Sequence, residues 1–96
     1  MHVVIGSWRM SPDHADEQRG GLEGIVAGVS RLPGLVSGFW TSSTDGLDSH
    51  TFIVFEGLDA AEAFASNVRA NLDNQSAAGV ENVTLSIEEI IARTSG

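Results

Sequence analysis

Three residue types are missing from this chain of 96 residues: cysteine, tyrosine and lysine. Without cysteine there is no disulfide, no thiolate nucleophile and no thiolate metal site. Without lysine there is no Schiff-base chemistry. Without tyrosine there is no phenolic acid or base. Proton transfer is left to three histidines, thirteen carboxylates and hydroxyls that need a partner base. Positive charge is also scarce. Five arginines stand against thirteen acidic residues, for a net charge of −8. Such a surface repels polyanions and has few cations with which to displace their counterions, so neither nucleic acid nor an anionic membrane is an expected partner. No apolar run is long enough to span a bilayer. The first residues lack the basic region and apolar core of a secretory signal, so a soluble cytoplasmic protein is expected.

The length fits one domain, residues 1–96, with no linker and no low-complexity tract. A chain this small buries only about 60% of its unfolded surface, so association with a second copy would stabilise it. His2 to Met10 reads as a strand. Val3, Ile5 and Ser7 fall on one face and Val4, Gly6 and Trp8 on the other, so both faces carry apolar groups. Ser11-Pro12-Asp13 reads as a helix start, with Ser11 as cap, Pro12 in the first turn and Asp13, Asp16 and Glu17 at the positive end of the dipole. The helix is expected to run to about Leu32, with Arg31 at its C-terminal end and Leu22, Ile25, Val26 and Val29 sharing one face. Gly20, Gly24 and Gly28 recur every four residues on the side opposite. They make either a weak helix held by packing or a smooth strip for a second backbone.

Leu32-Pro33-Gly34-Leu35 ends that helix and turns the chain into a second strand, Leu35 to Thr44. A third strand is expected over His50 to Glu56, after a hairpin loop Asp45-Gly46-Leu47-Asp48-Ser49. The second helix is expected to begin at Asp59, with Glu62 three residues on in the manner of a capping box. Its buried stripe reads Ala61, Phe64, Ala65, Val68 and Leu72. Asn71 to Asn82 reads as loop and Val83 to Arg93 as the last strand. The alternation of that strand slips at Glu88-Glu89-Ile90-Ile91, which suggests a bulge or a change of surroundings near its end. A strand of this length could also reach a second subunit.

The resulting β-α-β-β-α-β order gives a ferredoxin-like α+β fold, a four-stranded antiparallel sheet with two helices on one face. Because the strands place Val, Ile, Phe or Trp on both faces, the helix-free face is an apolar patch. A symmetric dimer with sheets packed face to face would cover it.

Pro33-Gly34-Leu35-Val36, Phe39-Trp40, Phe52-Ile53-Val54-Phe55 and Asp59-Ala60-Ala61-Glu62-Ala63 together resemble the dimeric α/β-barrel superfamily, and within it the antibiotic-biosynthesis-monooxygenase-like domains. The resemblance spans nearly the whole chain and speaks for fold more than for function. It implies a cofactor-free oxygenase working on an aromatic or polyketide-like small molecule, or else a non-catalytic dimeric domain that binds a small ligand or is purely structural. Haem degraders of the superfamily use an Asn on the first strand and a Trp and a His associated with the second helix. Here the first strand offers Ser7 and Trp8, and no His follows His50, so the axial ligand expected for haem is missing. No cofactor is implied.

A flat aromatic substrate needs an apolar pocket and polar groups to hold its deprotonated form. Trp8, Trp40, Phe52 and Phe64 are the aromatic candidates, with Phe55 beside them, and Asn67, Arg69 and Asn71 the polar ones. Trp8 and Trp40 could equally be core or interface residues. His50, two residues after Asp48, could be an oriented base or an exposed hairpin residue. His2 and His14 are expected to face solvent. The three histidines are scattered, with no i, i+4 pair, so no metal site is expected. Glu88 and Glu89 point to opposite faces and are not an acid/base pair.

Overall fold

The computed structural model describes residues 1–12, 15–77 and 79–95, the side chains of residues 15–19 and 75 aside. The side chains of Asp13, Asp16 and Glu17, expected at the positive end of the dipole, and His14, expected to face solvent, lie outside what is described. The elements are β1 (His2–Met10), α1 (Ala15–Val29), β2 (Leu35–Ser42), β3 (Asp48–Phe55), α2 (Leu58–Ala70), α3 (Leu72–Ala77) and β4 (Val80–Glu89). All strand pairs are antiparallel, in the order β2-β3-β1-β4. This is the expected ferredoxin-like α+β sheet.

β1 and β3 are its centre. Along β3, Thr51, Ile53 and Phe55 are buried and alternate with half-buried Phe52 and Val54, as the two-residue period requires. The core joins Val4, Ile53 and Phe55 from the sheet to Val29 of α1 and to Ala61 and Ala65 of α2. The two alanines, four residues apart, let α2 lie close to the strands. Phe64 completes the stripe, with its ring 5.6 Å from that of Phe55. Val68 and Leu72 are half-buried, as the helical spacing indicated.

Several boundaries differ from expectation. α1 stops at Val29, where Arg31 and Leu32 N–H groups close a tight turn on the Gly28 and Val29 carbonyls at 3.3 and 3.1 Å. Of its apolar face only Val29 is buried; Ile25 is 54% exposed. A Cβ at Gly20, Gly24 or Gly28 would meet nothing within 4 Å, so no described part of the chain approaches the strip. α2 begins at Leu58 behind Gly57, and no side chain caps it. The capping box therefore does not form: Asp59 sits inside the first turn, where its charge complements the dipole instead. The segment read as loop after Asn71 contains α3 and the start of β4. Its composition is polar and Asn-rich, which hides a helix of six residues.

The bulges also fall elsewhere. β4 ends at Glu89, where the alternation slips, and the Ile90 N–H bonds the Met1 carbonyl at 3.0 Å. The irregularity lies earlier: Ser7 pairs with Thr84 and Trp8 with Asn82, so Val83 is the extra residue. A second bulge at Val36 separates the Leu35–Phe55 pair from Ser37–Val54. No described helix is long and apolar enough to cross a membrane.

The β2–β3 loop is fixed by Asp45. Its Oδ1 accepts from Ser43 Oγ at 2.6 Å and from Leu47 N–H at 2.9 Å, and Ser43 Oγ accepts from Asp48 N–H at 3.0 Å. Gly46 takes φ +77°, a conformation that suits glycine. The hydrogen bond from Ser43, then that from Leu47, holds the Asp45 carboxyl below its ordinary value of 3.8. A depressed carboxylate stabilises its fold above the unfolded value and loses that contribution as pH falls through the folded one. The Leu47 and Asp48 amides are therefore predicted to exchange faster as pH drops below 3.8, after correction for intrinsic rates. In Asp45→Ala they are predicted to be fast at every pH. Equal protection in both proteins would contradict this.

Candidate functional site

Two glycines flatten the helix-side floor of the sheet locally. On Gly6 a Cβ would overlap Cη2 and Cζ3 of Trp8. The Trp8 indole thus folds back along its own strand and lies over Gly6. On Gly38 a Cβ would stand 2.8 Å from Ile53 Cδ1, so Ile53 leans across β2 in the same way. Each glycine gives up a side chain so that a larger neighbour can lie down rather than stand up.

The register then builds a row across the sheet: Trp40 on β2 opposite Thr51 on β3, Thr51 opposite Gly6 on β1, and Gly6 opposite Leu85 on β4. Trp40 and Leu85 pack against the core from the helix side. At a strand spacing of about 4.8 Å, Trp40 and the indole over Gly6 flank Thr51 across about 10 Å. Thr51 is 6% exposed. The bulge at Val83 locks the edge of this floor. Asn82 Nδ2 donates across to the Ser7 carbonyl of β1 at 3.1 Å and, over the extra residue, to the Thr84 carbonyl at 2.9 Å.

The seven residues expected to bind substrate divide into groups. Trp8, Trp40 and Phe64 are half-buried on the helix side. Phe52 is on the opposite face, stacked on Phe39 with ring centroids 5.0 Å apart. Phe55 is enclosed in the core. Asn67 and Arg69 are exposed on α2. Asn71 is also exposed and is the C-cap of that helix: its N–H reaches the Arg69 and Val68 carbonyls, and its side-chain amide donates to the Asn67 carbonyl at 2.8 Å. Gly6, Thr51 and Asn82 escaped notice in the sequence. Of these only Gly6 left a signal, a glycine inside an otherwise bulky strand two residues before a tryptophan.

One histidine needs correcting. His2 is half-buried rather than solvent-facing, and its Nδ1 is enclosed with no hydrogen-bond partner among the described residues. His50 is exposed on the β3 arm of the hairpin, as one of its two readings had it, opposite Ser7 and Thr41. Among the described residues Asp48 makes no bond to it; Asp48 Oδ1 lies 3.5 Å from Arg9 Nε. A separate open cavity of about 470 Å³ lies near α3, lined by residues such as Arg9, Ser11, Gly79 and Glu81 and by none of the seven.

No family model and no curated protein sequence matches the chain. Solved structures do. A Deinococcus radiodurans protein provisionally assigned as an antibiotic biosynthesis monooxygenase aligns with TM-score 0.82 and 15% identity, covering 99% of this chain and 97% of that one. SnoaB, a cofactor-independent oxygenase from Streptomyces nogalater, aligns with TM-score 0.71 and 15% identity over 96% and 95% of the two chains. A Streptomyces coelicolor monooxygenase in complex with nanaomycin D gives 0.68 and 15% over 99% and 91%. The chain has the fold of the antibiotic-biosynthesis-monooxygenase-like proteins, as its sequence suggested.

The flat floor carries its own test. Gly6→Ala, made in a Trp40→Phe background so that Trp8 alone emits, is predicted to shift the emission maximum to longer wavelength as the indole is lifted toward water. It should also destabilise the fold by about 1–3 kcal/mol through overpacking. An unchanged spectrum and unchanged stability would show that the ring does not lie over Gly6.

Proposed function

We propose that this protein is a cofactor-independent monooxygenase acting on a flat aromatic or polyketide-like small molecule held on the helix side of the sheet. The observation that carries the reading is the pair of indoles, Trp8 over Gly6 and Trp40, on either side of Thr51. Offset stacking on such rings favours planar ligands. The named activities of the Streptomyces neighbours support the same chemistry. In it the substrate supplies the electrons: a deprotonated ring methylene reacts with dioxygen and leaves as a ring carbonyl and water. Trp8, Trp40 and Phe64 orient the ring, and Asn67 and Arg69 serve the mouth of the site from α2.

The same reading makes the protein a homodimer through the open sheet face. That face carries Phe39, 55% exposed and stacked on Phe52, with Val3, Ile5 and Val54 half-buried around them. An apolar patch of this kind marks an interface. A second reading, a non-catalytic dimeric domain that binds a small ligand or is structural, is favoured by one observation. Asn71 spends its amide on the end of α2, where a catalytic polar group would be left for the substrate.

Oxygen uptake separates the two. With a panel of anthrone-like and quinol substrates, the oxygenase reading predicts one dioxygen consumed per methylene oxidised, with Trp40→Ala slower by about tenfold or more. No uptake above the uncatalysed rate with any member of the panel would leave the binding-domain reading.

A further inference from the structure

Thr51 is a buried polar residue of the floor, and its surroundings give it a task. It is buried, at 6% exposure, in the row between Trp40 and the indole that covers Gly6. Its buried polar neighbour one pair along, Ser49, already donates its hydroxyl to the Thr41 carbonyl at 2.9 Å. Thr51 makes no such bond from its side chain among the described residues, and its Oγ1 is not among the enclosed unpartnered atoms, so the hydroxyl keeps an opening on the helix side. A ligand that covers this opening must pair with the hydroxyl or leave it buried and unsatisfied. Valine has the same shape and would offer such a ligand nothing to pair with.

We propose that Thr51 is the specificity-determining residue of the aromatic site, and that its hydroxyl pairs with an oxygen on the ring of the bound molecule. The inference rests on the flat-aromatic reading above and adds the ligand's chemistry: a hydroxylated or oxo-substituted planar ring, centred over β3, with its oxygen edge toward the sheet. The two indoles accept any planar ring. The hydroxyl between them accepts one with a polar edge and rejects its methyl isostere, which would leave Thr51 unpaired.

The test exchanges hydroxyl for methyl on both partners. 2-Naphthol and 2-methylnaphthalene are titrated by calorimetry against wild type, Thr51→Val, Thr51→Ser and Trp40→Ala. Wild type is expected to prefer 2-naphthol by roughly tenfold, the range of one neutral hydrogen bond. Thr51→Val should bind the two probes about equally while holding 2-methylnaphthalene as well as wild type does. Thr51→Ser, which keeps the hydroxyl, should keep the preference. Trp40→Ala should weaken both probes together. A preference that survives in Thr51→Val overturns the assignment of Thr51 and leaves the aromatic site standing. Failure of wild type to bind either probe overturns the aromatic site itself, and the role of Thr51 with it. Thr51→Ser guards against misfolding as the explanation, since a loss of preference in Thr51→Ser with binding intact also overturns the proposal.

Discussion

One sheet must bury apolar side chains from both faces, and the rest of the structure depends on that constraint. β1 and β3 place Val4, Ile53 and Phe55 on one side and Val3, Ile5, Phe52 and Val54 on the other. At about 25 cal/mol per Å² of apolar surface, neither side can be left to water without a large loss for a chain of this size. The helices answer for one side. α2 does most of it through Ala61 and Ala65, which let it sit close, while α1 supplies Val29 and leaves Ile25 exposed.

The candidate site follows from how that helix side is filled. Core packing normally interlocks side chains that stand off the sheet. Here Gly6 and Gly38 remove two of them, and Trp8 and Ile53 lie across the gaps. What results is a smooth platform with an indole on each side of one threonine. The Asn82 bridge across the Val83 bulge holds the Trp8 end of it in place. A flat ligand asks for such a surface.

How much of this the sequence disclosed depended on whether a feature repeats or depends on pairing. β1 was readable to the residue, because both its alternation and its flanking Ser-Pro punctuate it. The stripe of α2 was readable because four-residue spacing is a local signal. The bulges at Val36 and Val83 were not, because a bulge is defined by the partner strand, and alternation alone cannot say which residue is extra. Phe52 shows the consequence: its aromatic character was visible, and the face it occupies was set by pairing with Ile5 and Phe39. Asn71 was read as a polar group for the substrate, yet its amide closes the helix on Asn67. α3 lacked any apolar period that could reveal it. Thr51 was invisible as a site residue, since a threonine in a β-branched run is an ordinary strand former.

The other side of the sheet is where the account is most exposed. Its aromatic centre, Phe39 on Phe52, is bordered by a row of polar side chains, with Ser7 Oγ and Thr84 Oγ1 2.5 Å apart and His50 opposite Ser7. An apolar centre with a polar border is the pattern of a protein interface, and a second copy of the chain is the occupant the account requires. Sedimentation equilibrium at micromolar concentration and neutral pH tests this most directly. The account predicts a particle of twice the 10.1 kDa chain mass. A species that stays at the mass of one chain, with Phe39 in water, would contradict it.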